Sequence, residues 1–164
     1  MKILAIQNRM GIGDTVIFLP YIKAISQKFN TPINILVKES SKADQYLFQT
    51  NYIDKIIKLE RDDKINGRHN GFLGSYNLIN DLRKYKFDKI FIFNSSLRFN
   101  LIARLSKIPE IYQYPLFKKY EQHITNVPKK FVKDVINVEI NEDPEIQIDN
   151  KTVQEVTQKF KIDK

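Results

Sequence analysis

Five short runs rich in isoleucine and other apolar residues recur along this 164-residue chain, four of them followed by a longer amphipathic stretch. The runs are KILAIQ (2–7), INILVK (33–38), KIIKL (55–59), DKIFIF (88–93) and EIYQY (110–114). Runs this short and this continuously apolar suit strands covered on both faces, because side chains pointing up and side chains pointing down both meet a helix. Between them the spacing predicts helices over about 14–29, 41–49, 74–86 and 97–107. Pro20 falls inside the first of these and should kink it or shift its start, since proline lacks the N–H and crowds the preceding turn. In the fourth, Leu97, Leu101, Leu105 and Ile108 keep one face apolar. After residue 115 the pattern weakens to a basic aromatic stretch YPLFKKY, a helix near 128–137, an acidic segment and a last helix near 151–161.

Strand–helix–strand repetition implies an α/β fold, a Rossmann-like doubly wound parallel sheet with helices on both faces. Right-handed crossovers and the common order 3-2-1-4-5 put strands one and four side by side. Their connections leave in opposite directions and open a crevice at the carboxyl ends of the two strands. The residues there are Arg9–Asp14 and Asn94–Arg98. All five glycines, Gly11, Gly13, Gly67, Gly71 and Gly74, fall after strands one and three, on that same edge. Glycine suits places where the backbone turns tightly or meets a ligand.

Composition narrows the chemistry. With 42% apolar and 28% charged residues the chain reads as a soluble globular protein long enough for one domain with a core. It has no cysteine, so disulfides and thiolate metal sites are excluded, and only two histidines, His69 and His123, far apart. Asp62–Asp63 does not form an Asp-x-Asp pair, and no metal is assigned. The longest apolar run, VIFLPYI, is far short of a membrane span, and the N-terminal apolar stretch meets Asn8 and Arg9 too soon for a signal peptide. A cytoplasmic location is expected. The net charge of +8 is unevenly placed: residues 1–133 carry 23 Lys/Arg against 11 Asp/Glu, whereas 134–150 carry six acids and no base. A basic body suits an anionic partner such as a phosphate, an acidic sugar or an anionic lipid surface.

The stretch RMGIGDTV (9–16) joins the first strand to the first helix. As a dinucleotide fingerprint it is incomplete, because Val16 stands where a third glycine belongs, although Glu39 after strand two is placed to take a ribose. It lacks the Gly-Lys-Ser/Thr ending of a Walker loop. Asp14 reads either as a helix N-cap, worth on the order of 1 kcal/mol, or as a catalytic carboxylate.

MKILAIQNRMGIGDTVIFLPYIKAISQKF resembles the opening of the heptosyltransferase-like glycosyltransferases of family 9, in which a first strand leads to an Arg, a small-residue turn, IGD and an apolar helix containing LP. NYIDKIIKLE resembles that family's Asn-x-Tyr-Ile-Asp segment, and SLRFNLIARLSKIPEIYQY resembles its Asn-Leu-Arg-x-x-x-Leu-Ala-Arg-Leu segment with the following strand. The three stretches keep the family's order over residues 1–114. Met10 and Gly11 depart from its usual Ser-type turn, and IFIFNSS lacks the acid and Gly-Asn that commonly end strand four.

The resemblance implies the N-terminal half of a GT-B fold, with residues 1–150 as a Rossmann-like acceptor-binding domain. Residues 151–164 would be a C-terminal helix or the start of a linker to a missing donor domain. It implies an inverting, metal-free transfer from a nucleotide-sugar co-substrate to lipopolysaccharide or another cell-envelope glycan, with no other cofactor. Asp14 would be the general base. Gly11 and Gly13 would admit the acceptor, and Arg9, Arg98 and Arg68 would contact it, Arg98 binding two oxygens of a carboxylate or phosphate. Arg104 is expected in a structural ion pair. The loop RDDKINGRHNGFLGS (61–75) would close over the acceptor with Lys64, Arg68 and His69 supplying charge, and YPLFKKY suits peripheral contact with the inner membrane. A half without a donor site should transfer no sugar alone and would need a partner half. Two other readings stay open: a nucleotide- or dinucleotide-binding module using GIGD and Glu39, and a basic nucleic-acid-binding domain, for which no recognition motif is present.

Overall fold

The computed structural model describes residues 1–9, 11–61, 67–116, 125–148 and 150–160. Met10, Asp62–Asp63, Lys64, His123 and residues 117–120 of YPLFKKY lie outside the described residues. Five strands, β1 (Ile3–Gln7), β2 (Ile33–Lys38), β3 (Ile53–Leu59), β4 (Lys89–Ile92) and β5 (Glu110–Gln113), form one parallel sheet. Its order is β3-β2-β1-β4-β5, the order expected from the crossover rule. Central β1 pairs Ala5 with Ile35 on one side and with Phe91 on the other.

Because side chains alternate along a strand, the sheet divides the apolar residues into two cores. Ile3, Ala5, Ile35 and Phe91 join the first, and Leu4, Ile6, Leu36 and Ile90 the second. The first core is covered by α1 (Ile12–Ile17), α2 (Leu19–Phe29), α3 (Ala43–Tyr46) and α6 (Asn126–Ile136). The second is covered by α4 (Gly71–Tyr85) and α5 (Leu97–Leu105). Phe131 of α6 meets Phe93 and Tyr114 edge-on at centroid separations of 5.5 and 5.0 Å.

The acidic segment is a strap over the first core. Ile140 is buried there, Ile146 packs beside it, Lys23 pairs with Glu142 at 2.6 Å, and Gln147 Oε1 accepts the Asn51 N–H at 3.1 Å. Burial and the neighbouring Glu145 and Glu142 push the Tyr52 hydroxyl up to about 12. Beyond the strap, α7 (Asn150–Phe160) has no buried residue. No helix among the described residues is long and apolar enough to cross a membrane.

Three local outcomes refine the sequence reading. The first predicted helix is two, broken at Phe18, and Pro20 falls in the first turn of α2, where an N–H would lack an intrahelical partner. The stretch over 41–49 contracts to a 3₁₀ turn, Glu39–Ser41, and single-turn α3, because Lys42 adopts the left-handed conformation between them. In α5 the stripe of Leu97, Leu101 and Leu105 lies about half exposed, and Phe99, Ile102 and Ala103 supply the buried side. The helix is apolar on two sides, so spacing alone does not choose between them.

The two sides of α5 should therefore respond differently in urea denaturation. Phe99→Ala should cost about 3–5 kcal/mol, as for a large core truncation. Leu101→Ala should stay within about 0.5 kcal/mol, as for an exposed position. Equal losses would contradict this assignment of the packing face.

Candidate functional site

The chain leaves β1 toward the first core and leaves β4 toward the second, so the two connections diverge at the carboxyl edge of the sheet. A side-chain hydrogen bond spans the opening: Asn94 Nδ2 donates to Asn8 Oδ1 at 3.1 Å. The Asn94 carboxamide oxygen also accepts the Ser96 N–H at 2.9 Å. Gln113, at the end of β5, donates to the carbonyls of Asn94 and Ser96 at 3.0 Å each and accepts from Asn100 at 2.7 Å. This amide network fixes the loop after β4. Asn8 and Gln113 were not singled out in the sequence; their only signal is a polar amide at the end of an apolar strand.

The turn after β1 starts with Gly11 at φ 102°, ψ 161°, a conformation that side-chain-bearing residues rarely adopt. A Cβ at Gly11 or Gly13 would meet nothing within 4 Å, so the space beside both is open. Gly11 occupies the cap position of α1 and Asp14 lies three residues inside it, which corrects the reading of Asp14 as the N-cap. The start moved because Gly11 supplies the non-helical backbone conformation. Asp14 is half-buried, and among the described residues its carboxylate makes no hydrogen bond or ion pair. Its place in the first turn puts it at the positive end of the helix. Buried Gln7 reaches from β1 to donate to the Asp14 carbonyl at 3.3 Å, while its own side-chain oxygen has no partner among the described residues.

The cations of this edge fall into distinct states. Arg9 is exposed. Arg98 is partly buried, donating from Nε to Ser75 Oγ at 2.9 Å and from Nη2 to the His69 carbonyl at 2.6 Å. Among the described residues no carboxylate pairs with it; burial, and then the nearby Arg61 cation, lower its pKa from the ordinary arginine value. Arg98 thus stands on the same edge as Asp14, with its guanidinium drawn toward the start of α4.

Arg68 is engaged by Asp81 through a two-pronged contact, with Nε to Oδ2 at 3.0 Å and Nη2 to Oδ1 at 2.9 Å. His69 is buried: Nδ1 accepts the Glu60 N–H at 3.0 Å, which leaves the ring proton on Nε2, 3.3 Å from Asp81. Arg104 donates to Asn100 Oδ1 at 2.8 Å and joins no ion pair among the described residues, in place of the expected one. Glu39 is exposed in the turn after β2, beside α1.

Comparison with solved structures gives the fold a precedent. Over 99% of its length the chain superposes on a glycosyl transferase family 9 protein from Veillonella parvula DSM 2008, with a TM-score of 0.69, 14% identity and 50% of that chain covered. It superposes equally fully on ADP-heptose LPS heptosyltransferase II of E. coli, with a TM-score of 0.65, 13% identity and 51% of that chain covered. The chain spans about half the length of these structures, and its α/β sheet has the fold of that half of a GT-B glycosyltransferase. No protein-family model and no curated protein sequence matches it.

Two measurements test the support beneath this edge. A Cβ on Gly74 would lie 2.1 Å from the His69 carbonyl carbon, so Gly74→Ala should lower stability by about 1–3 kcal/mol through overpacking of α4 against the loop. Burial alone would raise the Asp81 pKa, but hydrogen bonds from Lys84, Arg68 and His69 outweigh it and hold the carboxyl below its usual range. A depressed folded pKa stabilises fully above the unfolded value of about 4 and loses that contribution as pH falls through the folded one. Asp81→Asn should therefore be less stable by about 1–2 kcal/mol at neutral pH, with the gap from the wild type closing in acid. A gap independent of pH would contradict the pairing.

Proposed function

We propose that this chain is the acceptor-binding half of an inverting glycosyltransferase that acts on lipopolysaccharide or another cell-envelope glycan. The observation that carries the reading is an unpaired carboxylate, Asp14, beside the open Gly11–Gly13 turn, in a chain that superposes throughout on half of two glycosyltransferase structures. The carboxyl edge, where doubly wound sheets bind ligands, is then the acceptor site.

In this mechanism Asp14 accepts the proton of the acceptor hydroxyl while that oxygen attacks the anomeric carbon of the sugar. The bond from that carbon to the nucleotide diphosphate breaks, the diphosphate leaves with the bonding pair, and the configuration inverts. A base in this role must lie within hydrogen-bond reach of the attacking hydroxyl. The open side of Gly11 and Gly13 admits the acceptor, and Gln7 steadies the helix turn that carries Asp14. Arg98 and Arg9 meet its anionic groups; Arg98 is already oriented by Ser75 and His69, so little side-chain freedom remains to be lost.

The nucleotide-sugar belongs to a second, donor-binding half, and this half alone transfers nothing. The reaction runs in the cytoplasm at the inner membrane, needs no metal, and takes a glycan or glycolipid rather than nucleic acid.

With the donor-binding half supplied, Asp14→Asn should lower turnover by about a hundredfold to ten-thousandfold, the usual worth of a general base, and leave acceptor affinity nearly unchanged. Arg98→Ala should instead weaken binding of an acidic core oligosaccharide by about tenfold, as for loss of a charge-assisted contact. Undiminished turnover in Asp14→Asn would remove that residue as the base. In a thermal-shift comparison the chain should be stabilised by the acidic oligosaccharide; stabilisation by NAD instead would favour the dinucleotide-binding reading.

A further inference from the structure

Outside the crevice, the surface between α4 and α5 is the feature that neither the core nor the sheet edge explains. A groove of about 470 Å³ runs between the two helices, with the half-exposed stripe of Leu97, Leu101 and Leu105 as one wall. At the start of α4, two consecutive large apolar residues project outward, Phe72 at 91% exposure and Leu73 at 76%, followed by Tyr76 at 61%. A helix that only covers a core turns one such neighbour inward; here both point out, at a helix start on the carboxyl edge of the sheet.

Charge along the segment that carries this surface is mostly positive, although Lys89 turns to the other side of the sheet, over Phe29. Residues 67–108, which carry both helices, contain eight Lys/Arg and two acids, Asp81 and Asp88. Both acids are engaged, Asp81 by Arg68, His69 and Lys84 and Asp88 by the Lys2 N–H. Arg98 lines the groove, and Arg83 donates to the carbonyl of Leu105 at its other end. The acid-rich strap over 137–148 packs on the opposite side of the sheet. The strap's acids thus sit on the far side of the sheet, where Lys23 and Lys133 pair with Glu142 and Glu139, and the apolar patch lies among cations over the second core.

From this geometry we infer that the α4–α5 face docks on an anionic lipid bilayer, with Phe72 and Leu73 entering the acyl boundary and the surrounding Lys and Arg meeting lipid phosphates. The combination of projecting apolar side chains and flanking cations is what binds a protein to such an interface, each contribution being weak alone. A second copy is a poor occupant, because apposing two of these faces would set cation against cation. The inference does not depend on the role of Asp14. It adds that the tip of α4 would hold the crevice next to the membrane.

The test is cosedimentation of the full chain with vesicles of mixed phosphatidylglycerol and phosphatidylcholine, against vesicles of phosphatidylcholine alone. The chain should bind the anionic vesicles, bind the neutral ones much more weakly, and be released by salt as the headgroup attraction is screened. The double variant Phe72→Ser/Leu73→Ser should lose about tenfold or more in partitioning. Its thermal melt should match the wild type, because both side chains are exposed. Asp14→Asn should partition as the wild type does, so failure of the sugar-transfer reading and failure of docking are separate results. No binding to anionic vesicles, or equal binding by the double variant, would overturn the proposal. So would a dimer in size-exclusion chromatography that the double variant abolishes, since the face would then join two copies of the chain.

Discussion

The adjacency of β1 and β4 is the constraint on which the rest of this structure depends. Both strands run the same way, with Ala5 opposite Phe91, yet each chain end departs to a different face. Ladder bonding keeps the strands together while the right-handed crossovers pull their connections apart. An opening at their carboxyl ends follows without any dedicated residue to make it. What the sequence adds is furniture for that opening: a left-handed glycine to start α1, the Asn8–Asn94 bond across it, and Gln113 bracing the far loop. Asp14 and Arg98 are brought to one rim by this arrangement, although 84 positions separate them in sequence.

Electrostatics follow the same division. The strap over 137–148 sets its acids against α2, where Glu142 meets Lys23, and its apolar Ile140 and Ile146 seal the first core. The segment that carries α4 and α5 holds a positive excess of its own. Within that excess, individual cations differ in state. Arg68 is neutralised by a carboxylate, Arg83 and Arg104 serve backbone and amide oxygens, and Arg98 is held in place by two neutral acceptors. A guanidinium oriented by neutral groups keeps a charge that its own partners do not compensate.

Sequence reading recovered the strand order because Ile-rich runs, crossover handedness and loop length leave few alternatives. It recovered the influence of Pro20 for an equally local reason. It missed where tertiary packing decides. The inner side of α5 was illegible since Phe99 and Ile102 compete with an equally regular leucine stripe. The partner of Arg68 stands 13 residues away on α4, beyond any local spacing rule. The cap of α1 was misplaced because Gly11 can begin a helix through its backbone, with no side-chain signature to read. The divergence of the chain at the carboxyl edge was legible from the strand order; the hydrogen bonds that hold Arg98 and the loop after β4 were not.

The distribution of backbone strain has a consequence of its own. Helices α2, α4 and α6 end in left-handed Asn30, Lys86 and Asn137, and Lys107 follows α5 in the same conformation, although glycine would adopt it more easily. Among the described residues, the glycines with positive φ are Gly11 and Gly71, where α1 and α4 begin. The turns that feed β2, β4 and β5 therefore hold a reserve of stability that a designer could release with glycine, on the rim opposite the crevice. Hardening the molecule from that side would leave the rim that carries Asp14 and Arg98 untouched.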